Sequence, residues 1–118
     1  MADTAIVLAS RDGIVRFWSS GAERLFGYRA ADMVGHTIEV LIPEEFRARH
    51  WAGWDRAWEL GQVPEGRASM IPVKCADEAT RRFAGRLTAV CGPQGQLVAA
   101  MAVWAAPSEA DTTLASME

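Results

Sequence analysis

The longest helical pattern in this 118-residue chain runs from Pro43 to about Leu60, between short apolar runs that glycines separate. Proline fits the first turn of a helix, the carboxylates of Glu44 and Glu45 complement the positive end of its dipole, and Gly61 suits its end. Apolar and aromatic side chains, with one histidine among them, recur along the segment at three- and four-residue intervals and therefore share one face. They are Phe46, His50, Trp54, Ala57 and Trp58. This pattern predicts one long helix that packs against a sheet.

Five apolar runs predict the strands of that sheet. They are Thr4 to Ser10, Ile14 to Trp18, Arg67 to Ala76, Arg81 to Cys91 and Gln96 to Ala106. The pair Asp12-Gly13 is typical of a tight hairpin turn, because such turns need positive φ values that glycine accepts. Ser19 or Ser20 then caps a short helix that Gly27 ends. The last run is almost entirely apolar, which predicts a strand at the centre of the sheet.

The order of these elements predicts an α+β domain with a five-stranded antiparallel sheet, short helices and one long helix over one face. A pocket is expected between the long helix and the sheet. The opposite sheet face needs a cover too, which a second copy of the chain or a terminal segment would supply. We expect the domain to span residues 1–106 and residues 107–118 to form a flexible tail, because the tail lacks periodicity.

Composition excludes several classes of function. A formal net charge of -3 gives no general attraction to phosphate, so binding to nucleic acid or to anionic membranes is not expected. The chain has no run of about 18 apolar residues and no cationic start leading into an apolar core, which favours a cytoplasmic protein. Cys75 and Cys91 lack the spacing of a metal or c-type haem site and are expected to be buried in a reducing compartment.

Sequence motifs for catalysis are absent as well. The chain has no phosphate-binding loop, no nucleophile elbow and no cluster with metal-ligand spacing. Glu44 and Glu45 are adjacent on a helix, so their carboxylates point apart and do not form a catalytic pair. A catalytic alternative would have to combine His50 with Asp55 in a cavity. We therefore expect a sensor or interaction domain and not an enzyme.

Several segments resemble one family of small sensory modules. Residues 12–15 (DGIV), 18–28 (WSSGAERLFGY), 33–35 (MVG) and 41–45 (LIPEE) are similar to the landmarks of PAS domains. The similarity covers residues 4–106, and the PAS fold that it implies agrees with the predicted element order. The resemblance also implies a role in signal transduction, in which a ligand or cofactor in the domain changes its association with itself or with another protein.

Within that family, residues 43–50 (PEEFRARH) together with Arg56 are similar to the haem-binding PAS domains of oxygen-sensing nitrogen-fixation kinases. In those domains the histidine of the long helix is the proximal iron ligand, and an arginine six residues later lies near a haem propionate. The resemblance therefore implies that His50 binds the iron of haem b and that Arg56 pairs with a propionate. On the third strand, Ile71 stands where those sensors have a distal arginine, and Met70 lies beside it. An apolar distal pocket or a Met70 ligand is the expectation that follows.

A haem site needs a neutral imidazole, apolar walls and cations for two carboxylates. Gly53 and Trp54 share the face of His50, so a flat ring would approach over the glycine while the indole forms a wall. The opposite wall is expected from Leu87 and Ala89 on the fourth strand and from Met101 or Val103 on the fifth, depending on which strand face points inward. Flavin is not expected, because the flavin-adduct PAS subclass carries its reactive cysteine near the long helix and this chain has none there.

The alternative hypothesis is a domain without haem. His50 would then be a half-buried histidine with a local hydrogen bond, and the tryptophans would fill the core or an interface. Such a module would bind a small apolar ligand or none and would act through dimerisation. Both hypotheses predict a homodimer and a downstream signalling protein of unknown identity.

Overall fold

The computed structural model describes residues 4–63 and 69–106. Its α+β fold contains five strands, three α-helices and two 3₁₀ helices. The strands are β1 (Thr4–Ala9), β2 (Val15–Trp18), β3 (Ser69–Lys74), β4 (Thr80–Cys91) and β5 (Leu97–Ala105). The α-helices are α1 (Ser20–Phe26), α2 (Ala30–Met33) and α3 (Arg47–Leu60), and the 3₁₀ helices span Ile38–Leu41 and Glu44–Phe46. The predicted tail 107–118 and the predicted strand start at Arg67 lie outside the described residues.

The strands form one antiparallel sheet in the order β2-β1-β5-β4-β3. The predicted fold class is confirmed, and β5 occupies the central position that its apolar sequence predicts. Strand β5 pairs with β1 from Thr4↔Ala105 to Ala9↔Ala100 and with β4 from Ala84↔Ala105 onward. This register fixes which side chains share a face, because successive residues of a strand point to opposite sides.

The first helix begins and ends where local sequence predicts. Gly13 has a φ of 79° in the turn between β1 and β2. The Ser19 hydroxyl accepts a hydrogen bond from the backbone N–H of Ala22 and so caps α1. Gly27 ends the helix with a φ of 86°, a conformation that glycine adopts without steric cost.

The long helix begins four residues later than predicted. The backbone N–H of Phe46 donates to the Pro43 carbonyl at 2.9 Å, which closes a 3₁₀ turn instead of an α-helical one. Regular α-helix starts only at Arg47. Glu44 and Glu45 therefore lie in the preceding 3₁₀ helix and not in the first turn of α3, so the predicted start of the α-helix is wrong, while both residues still lie on its N-terminal side.

The core lies on one side of the sheet, here called the inner face, where the short helices pack. Phe26 of α1 meets Phe83 and Trp104 edge to face, with ring centroids 5.2 Å and 5.1 Å apart. The inner face carries Ala5, Val7, Trp18, Ile71, Val73, Phe83, Gly85, Ala102 and Trp104. The opposite, outer face carries Ile6, Leu8, Phe17, Met70, Met101 and Val103.

The two cysteines have different environments. Cys75 is buried in the core as predicted, whereas Cys91 is exposed, so the prediction of two buried cysteines is wrong for Cys91. Cys91 is the last residue of β4, and Leu87, four residues earlier in the same strand, is already 41% exposed, so the buried core does not extend to this end of the strand. No helix within residues 4–63 and 69–106 combines the length and apolar character needed to cross a membrane.

Candidate functional site

Helix α3 is held to the rest of the fold by its tryptophans. None of its side chains is fully buried. The Trp54 Nε1–H donates to the carbonyl oxygen of Arg11 at 2.8 Å, and the Trp51 Nε1–H donates to Glu39 Oε1 at 3.0 Å. The Arg11 guanidinium also lies 5.6 Å from the centroid of the Trp58 ring, within the range of a cation–π contact. Directional contacts to the β1–β2 turn and to the 3₁₀ helix Ile38–Leu41 therefore position this helix.

His50 lies half-buried between two of these indoles. Its ring is perpendicular to Trp51 at a centroid distance of 4.7 Å and nearly parallel to Trp54 at 5.9 Å. Its Nδ1 atom is buried and has no hydrogen-bond partner among the described residues, so the local hydrogen bond of the haem-free alternative is not made at this nitrogen. Burial lowers the pKa of His50 below its ordinary value of 6.5. The neutral imidazole, the form that binds metals, is thereby favoured.

Gly53 and Arg56 occupy exposed positions on α3. A Cβ added at Gly53 would meet no heavy atom within 4 Å, so the space above this helix position is open. Arg56 lies six residues after His50, which places it about 9 Å further along the helix axis. If a planar ligand were centred at His50, an exposed cation at this distance could pair with an anionic group at the edge of that ligand.

The inner face of the sheet has a packed half and an open half. Phe83 is 4% exposed, yet Leu87, four residues further along the same face of β4, is 41% exposed. Leu87 and Ala89 pair with Ala102 and Ala100 of β5. We refer to Leu87, Ala89 and Ala100 as the open half, and to Phe83, Gly85 and Trp104 as the packed half. Of the predicted wall residues, Leu87 and Ala89 belong to the open half, while Ile71 packs against the buried core.

Three predicted site residues, the wall residues Met101 and Val103 and the possible ligand Met70, lie on the other side of the sheet. Met101 pairs with Thr88 and Val103 pairs with Arg86, so both point to the outer face, away from Leu87. Met70 pairs with Ala84 and also points outward, where it is 48% exposed. The prediction that Met101 or Val103 shares a wall with Leu87 and Ala89 is therefore wrong, and so is the proposed iron ligand Met70. The reason is the alternation of side chains along a strand. Ala102, the partner of Leu87, shares its face, so the neighbours of Ala102 in β5, Met101 and Val103, point to the opposite face.

Sequence reasoning missed several residues that shape the site. Glu39, Arg11 and Gly13 hold the α3 indoles, but they are far from His50 in the chain and no local pattern connects them. Trp104 was not predicted either. Its Nε1 atom is buried without a hydrogen-bond partner among the described residues, and a Cβ at Gly85 would lie 2.8 Å from it. The spacing of Trp51, Trp54 and Trp58 was the one available indication, since three indoles of one helix cannot share a narrow stripe.

The residues on α3 fit a haem in their chemistry. His50 offers a neutral, half-buried imidazole, Gly53 leaves space beside it, and Arg56 provides a cation. In the described ranges no three His, Cys, Asp or Glu side chains form a metal-binding group. A single axial nitrogen is what an iron that is already held in a porphyrin requires from the protein.

Comparison with known proteins agrees with this architecture. The PAS fold family matches residues 2–111. The chain is 37% identical over 46 residues to the sensor protein FixL of Bradyrhizobium diazoefficiens, a match covering 39% of this chain and 9% of FixL. It is 36% identical over 44 residues to the oxygen sensor protein DosP of Escherichia coli, which covers 37% of this chain and 6% of DosP. The matched segments are thus less than a tenth of each relative.

Solved structures share the whole fold at low sequence identity. The PAS domain of a Colwellia psychrerythraea protein superposes with a TM-score of 0.72 at 20% identity, covering 86% of this chain and 83% of that one. The LOV domain of the blue-light photoreceptor Aureochrome1 superposes with a TM-score of 0.69 at 19% identity, covering 93% and 80%. The sequence match over residues 2–111 and the fold lead to one conclusion. The chain belongs to the PAS family of sensor and signalling domains.

Proposed function

We propose that this PAS domain binds haem b, with His50 as the axial ligand of the iron, and senses a diatomic gas or a redox change. One observation carries the proposal: His50 lies half-buried between two indoles of α3, and burial lowers its pKa so that the neutral, metal-binding form of the imidazole is favoured. Because the Nδ1 atom of His50 is buried, the nitrogen that would bind the iron is Nε2. The partial matches to a sensor and to an oxygen sensor support the same function.

Each residue of the proposed site has a separate task. His50 supplies a neutral nitrogen, Arg56 pairs with a propionate at the exposed edge, and Gly53 leaves room for a flat ring. Leu87 and Ala89 form an apolar wall on the open half of the inner face, and Ile71 continues it toward the core. When bound, haem supplies an iron centre that takes up small ligands or changes oxidation state. The apolar wall keeps water away from that centre.

The proposed output is a change in association and not a chemical reaction of this domain. A ligand that binds one geometry of α3 and the sheet more tightly shifts the population toward that geometry. The affected surface then binds a downstream signalling protein, or a second copy of the chain, more or less tightly. Neither Cys75 nor Cys91 lies on α3, so a flavin bound through a cysteine of that helix remains outside the proposal.

Hemin titration tests the proposal directly. Purified protein mixed with hemin is expected to give a sharp Soret band with one-to-one stoichiometry, and His50→Ala is expected to remove it. His36→Ala is the matched control, because His36 is the other histidine of the chain and is exposed. A wild-type protein without a Soret band, or a band that survives in His50→Ala and shifts in His36→Ala, would contradict the assignment.

The outer sheet face favours a second candidate, a haem-free module that acts through homodimerisation. Phe17 and Met70 on the two edge strands are both 48% exposed, and Met101 and Val103 lie between them. A two-fold axis would bring this same apolar patch of two copies into contact. Phe17→Ser is expected to convert a dimer to a monomer in sedimentation experiments. Val34→Ser is the control, because Val34 is 46% exposed outside the sheet.

A further inference from the structure

We infer that Trp51 and Trp54 are positioning residues for His50, and that Glu39 and the β1–β2 turn hold these two indoles in place. The inference rests on the proposed function, because it concerns the direction in which the His50 imidazole is presented. It adds two regions of the chain that no sequence motif connects with the long helix. Trp54, predicted as a wall of the pocket, gains a second role.

The two indoles restrict the imidazole in different directions. The Trp54 ring lies nearly parallel to it, with an interplanar angle of 27°, and the Trp51 ring stands across it at 84°. A parallel neighbour limits tilting of the imidazole plane, and a perpendicular neighbour limits its rotation about the Cβ–Cγ bond. Trp51 and Trp54 are themselves perpendicular at 81° and 5.7 Å. The three rings thus form one packed unit on α3.

Each indole is fixed at its far edge by a hydrogen bond to a distant part of the chain. Trp54 donates to the Arg11 carbonyl over a separation of 43 residues, and Trp51 donates to Glu39 over 12 residues. The β1–β2 turn, which contains Arg11, and the 3₁₀ helix Ile38–Leu41, which contains Glu39, are joined by backbone contacts. Ile14 bridges to Thr37, and the Ile38 N–H donates to the Gly13 carbonyl at 2.9 Å. The two acceptors are therefore held relative to each other by the backbone.

Gly13 allows the Trp51 ring to approach the backbone of the β1–β2 turn closely. A Cβ at Gly13 would lie only 2.8 Å from Trp51 Cη2, so the six-membered ring sits directly on the glycine. The turn needs glycine for its positive φ as well. No α3 side chain is fully buried, so these contacts largely determine the position of the His50 imidazole. A shift of the turn would move the indoles and the imidazole together.

A pair of variants at Glu39 separates positioning from general stability. Glu39→Gln keeps an oxygen that accepts from Trp51, whereas Glu39→Leu removes it. We expect Glu39→Leu and Trp54→Phe to weaken hemin binding about five- to tenfold and to shift the ferric electron paramagnetic resonance g-values. Glu39→Gln is expected to stay within about twofold of wild type. The control Trp58→Phe is expected to do the same, because phenylalanine keeps a ring beside Arg11 and Trp54, and no ring contact between Trp58 and His50 is found among the described residues.

A second measurement needs no haem and decides the inference even if the proposed function fails. The ¹⁵N chemical shifts of the His50 imidazole in hemin-free protein are expected to move in Trp51→Phe, Trp54→Phe and Glu39→Leu, and to stay in place in Trp58→Phe and Glu39→Gln. Unchanged imidazole shifts in the first three variants would overturn the inference. Equal effects of Glu39→Gln and Glu39→Leu on all readouts would overturn it too. A wild type that ignores hemin but shows the expected shifts refutes the haem proposal alone.

Discussion

Helices α1 and α3 are attached to the same fold by different kinds of contact. On the α1 side, Phe26 fills the space between Phe83 and Trp104, and Gly21 lies so close to β1 that a Cβ would sit 1.8 Å from the Thr4 carbonyl oxygen. On the α3 side, Gly53 faces open space and no side chain is fully buried. Helix α3 is held instead by hydrogen bonds from the indole N–H groups of Trp51 and Trp54.

The two kinds of attachment differ in the free energy that is needed to displace the helix. Tight apolar packing resists displacement because every neighbouring atom contributes and no alternative arrangement fills the same volume. A helix held by a few hydrogen bonds and ring contacts moves at lower cost, since each contact contributes about 1 kcal/mol. Regions that respond to a ligand are usually those whose local opening costs the least free energy. The α3 side is thus the part of the fold suited to sensing, and the α1 side is its support.

Gly21→Ala is the change with the largest expected effect. The added methyl group collides with backbone and not with a flexible side chain, so α1 or β1 must shift. We expect a loss of about 3 kcal/mol or more in the free energy of unfolding, measured in urea. A loss below about 1 kcal/mol would show that the two elements separate easily, and the contrast with α3 would disappear.

Trp54→Phe is expected to have a smaller and more local effect. It removes the N–H that donates to Arg11 but keeps an aromatic ring, so the free energy of unfolding should fall by about 1 kcal/mol. Amide hydrogen exchange is expected to accelerate along α3 while the amides of β4 and β5 keep their protection. Acceleration spread evenly over the sheet would indicate that α3 and the core unfold as one unit.

Gly53→Ala tests the same substitution as Gly21→Ala in the opposite environment. Nothing opposes the new methyl group, and alanine is favoured over glycine inside a helix, so hemin-free protein should gain about 0.5–1 kcal/mol. If a planar cofactor lies over this position, the same variant should bind hemin more weakly. Unchanged hemin affinity would place the haem plane elsewhere on α3.

The pH dependence of stability is the smallest of the expected effects. Burial lowers the pKa of His50 below 6.5 in the folded state, so the unfolded chain takes up the proton first as the pH falls. Stability of hemin-free protein is therefore expected to be complete above about pH 7, to fall as the pH drops through 6.5, and to level off below the folded-state pKa. His50→Gln should remove this slope and His36→Gln should keep it. Identical slopes in both variants would contradict the burial of His50.

The predictable features of the fold are those that neighbouring residues encode. Gly13 supplies the positive φ of its turn, although the connection from Ala9 to Val15 is longer than the tight turn that Asp12-Gly13 predicts. Ser19 caps α1, and the apolar character of β5 places it at the centre, because each depends on a few adjacent residues. The wall of the site was harder to predict. Leu87 and Met101 fit the same apolar pattern, and only the pairing of Leu87 with Ala102 reveals that Met101 faces the other way.

The type and order of the elements, and the placing of His50 on the long helix with Arg56 six residues later, follow from the amino-acid sequence alone. Helix periodicity, caps and turn glycines act over a few residues and can be recognised without partners. The tertiary structure decided the rest: which strand residues share a face, that Trp51 rests on Gly13, and that Trp54 reaches Arg11 across 43 residues. Those contacts depend on strand register and on the meeting of distant segments, which no local pattern encodes.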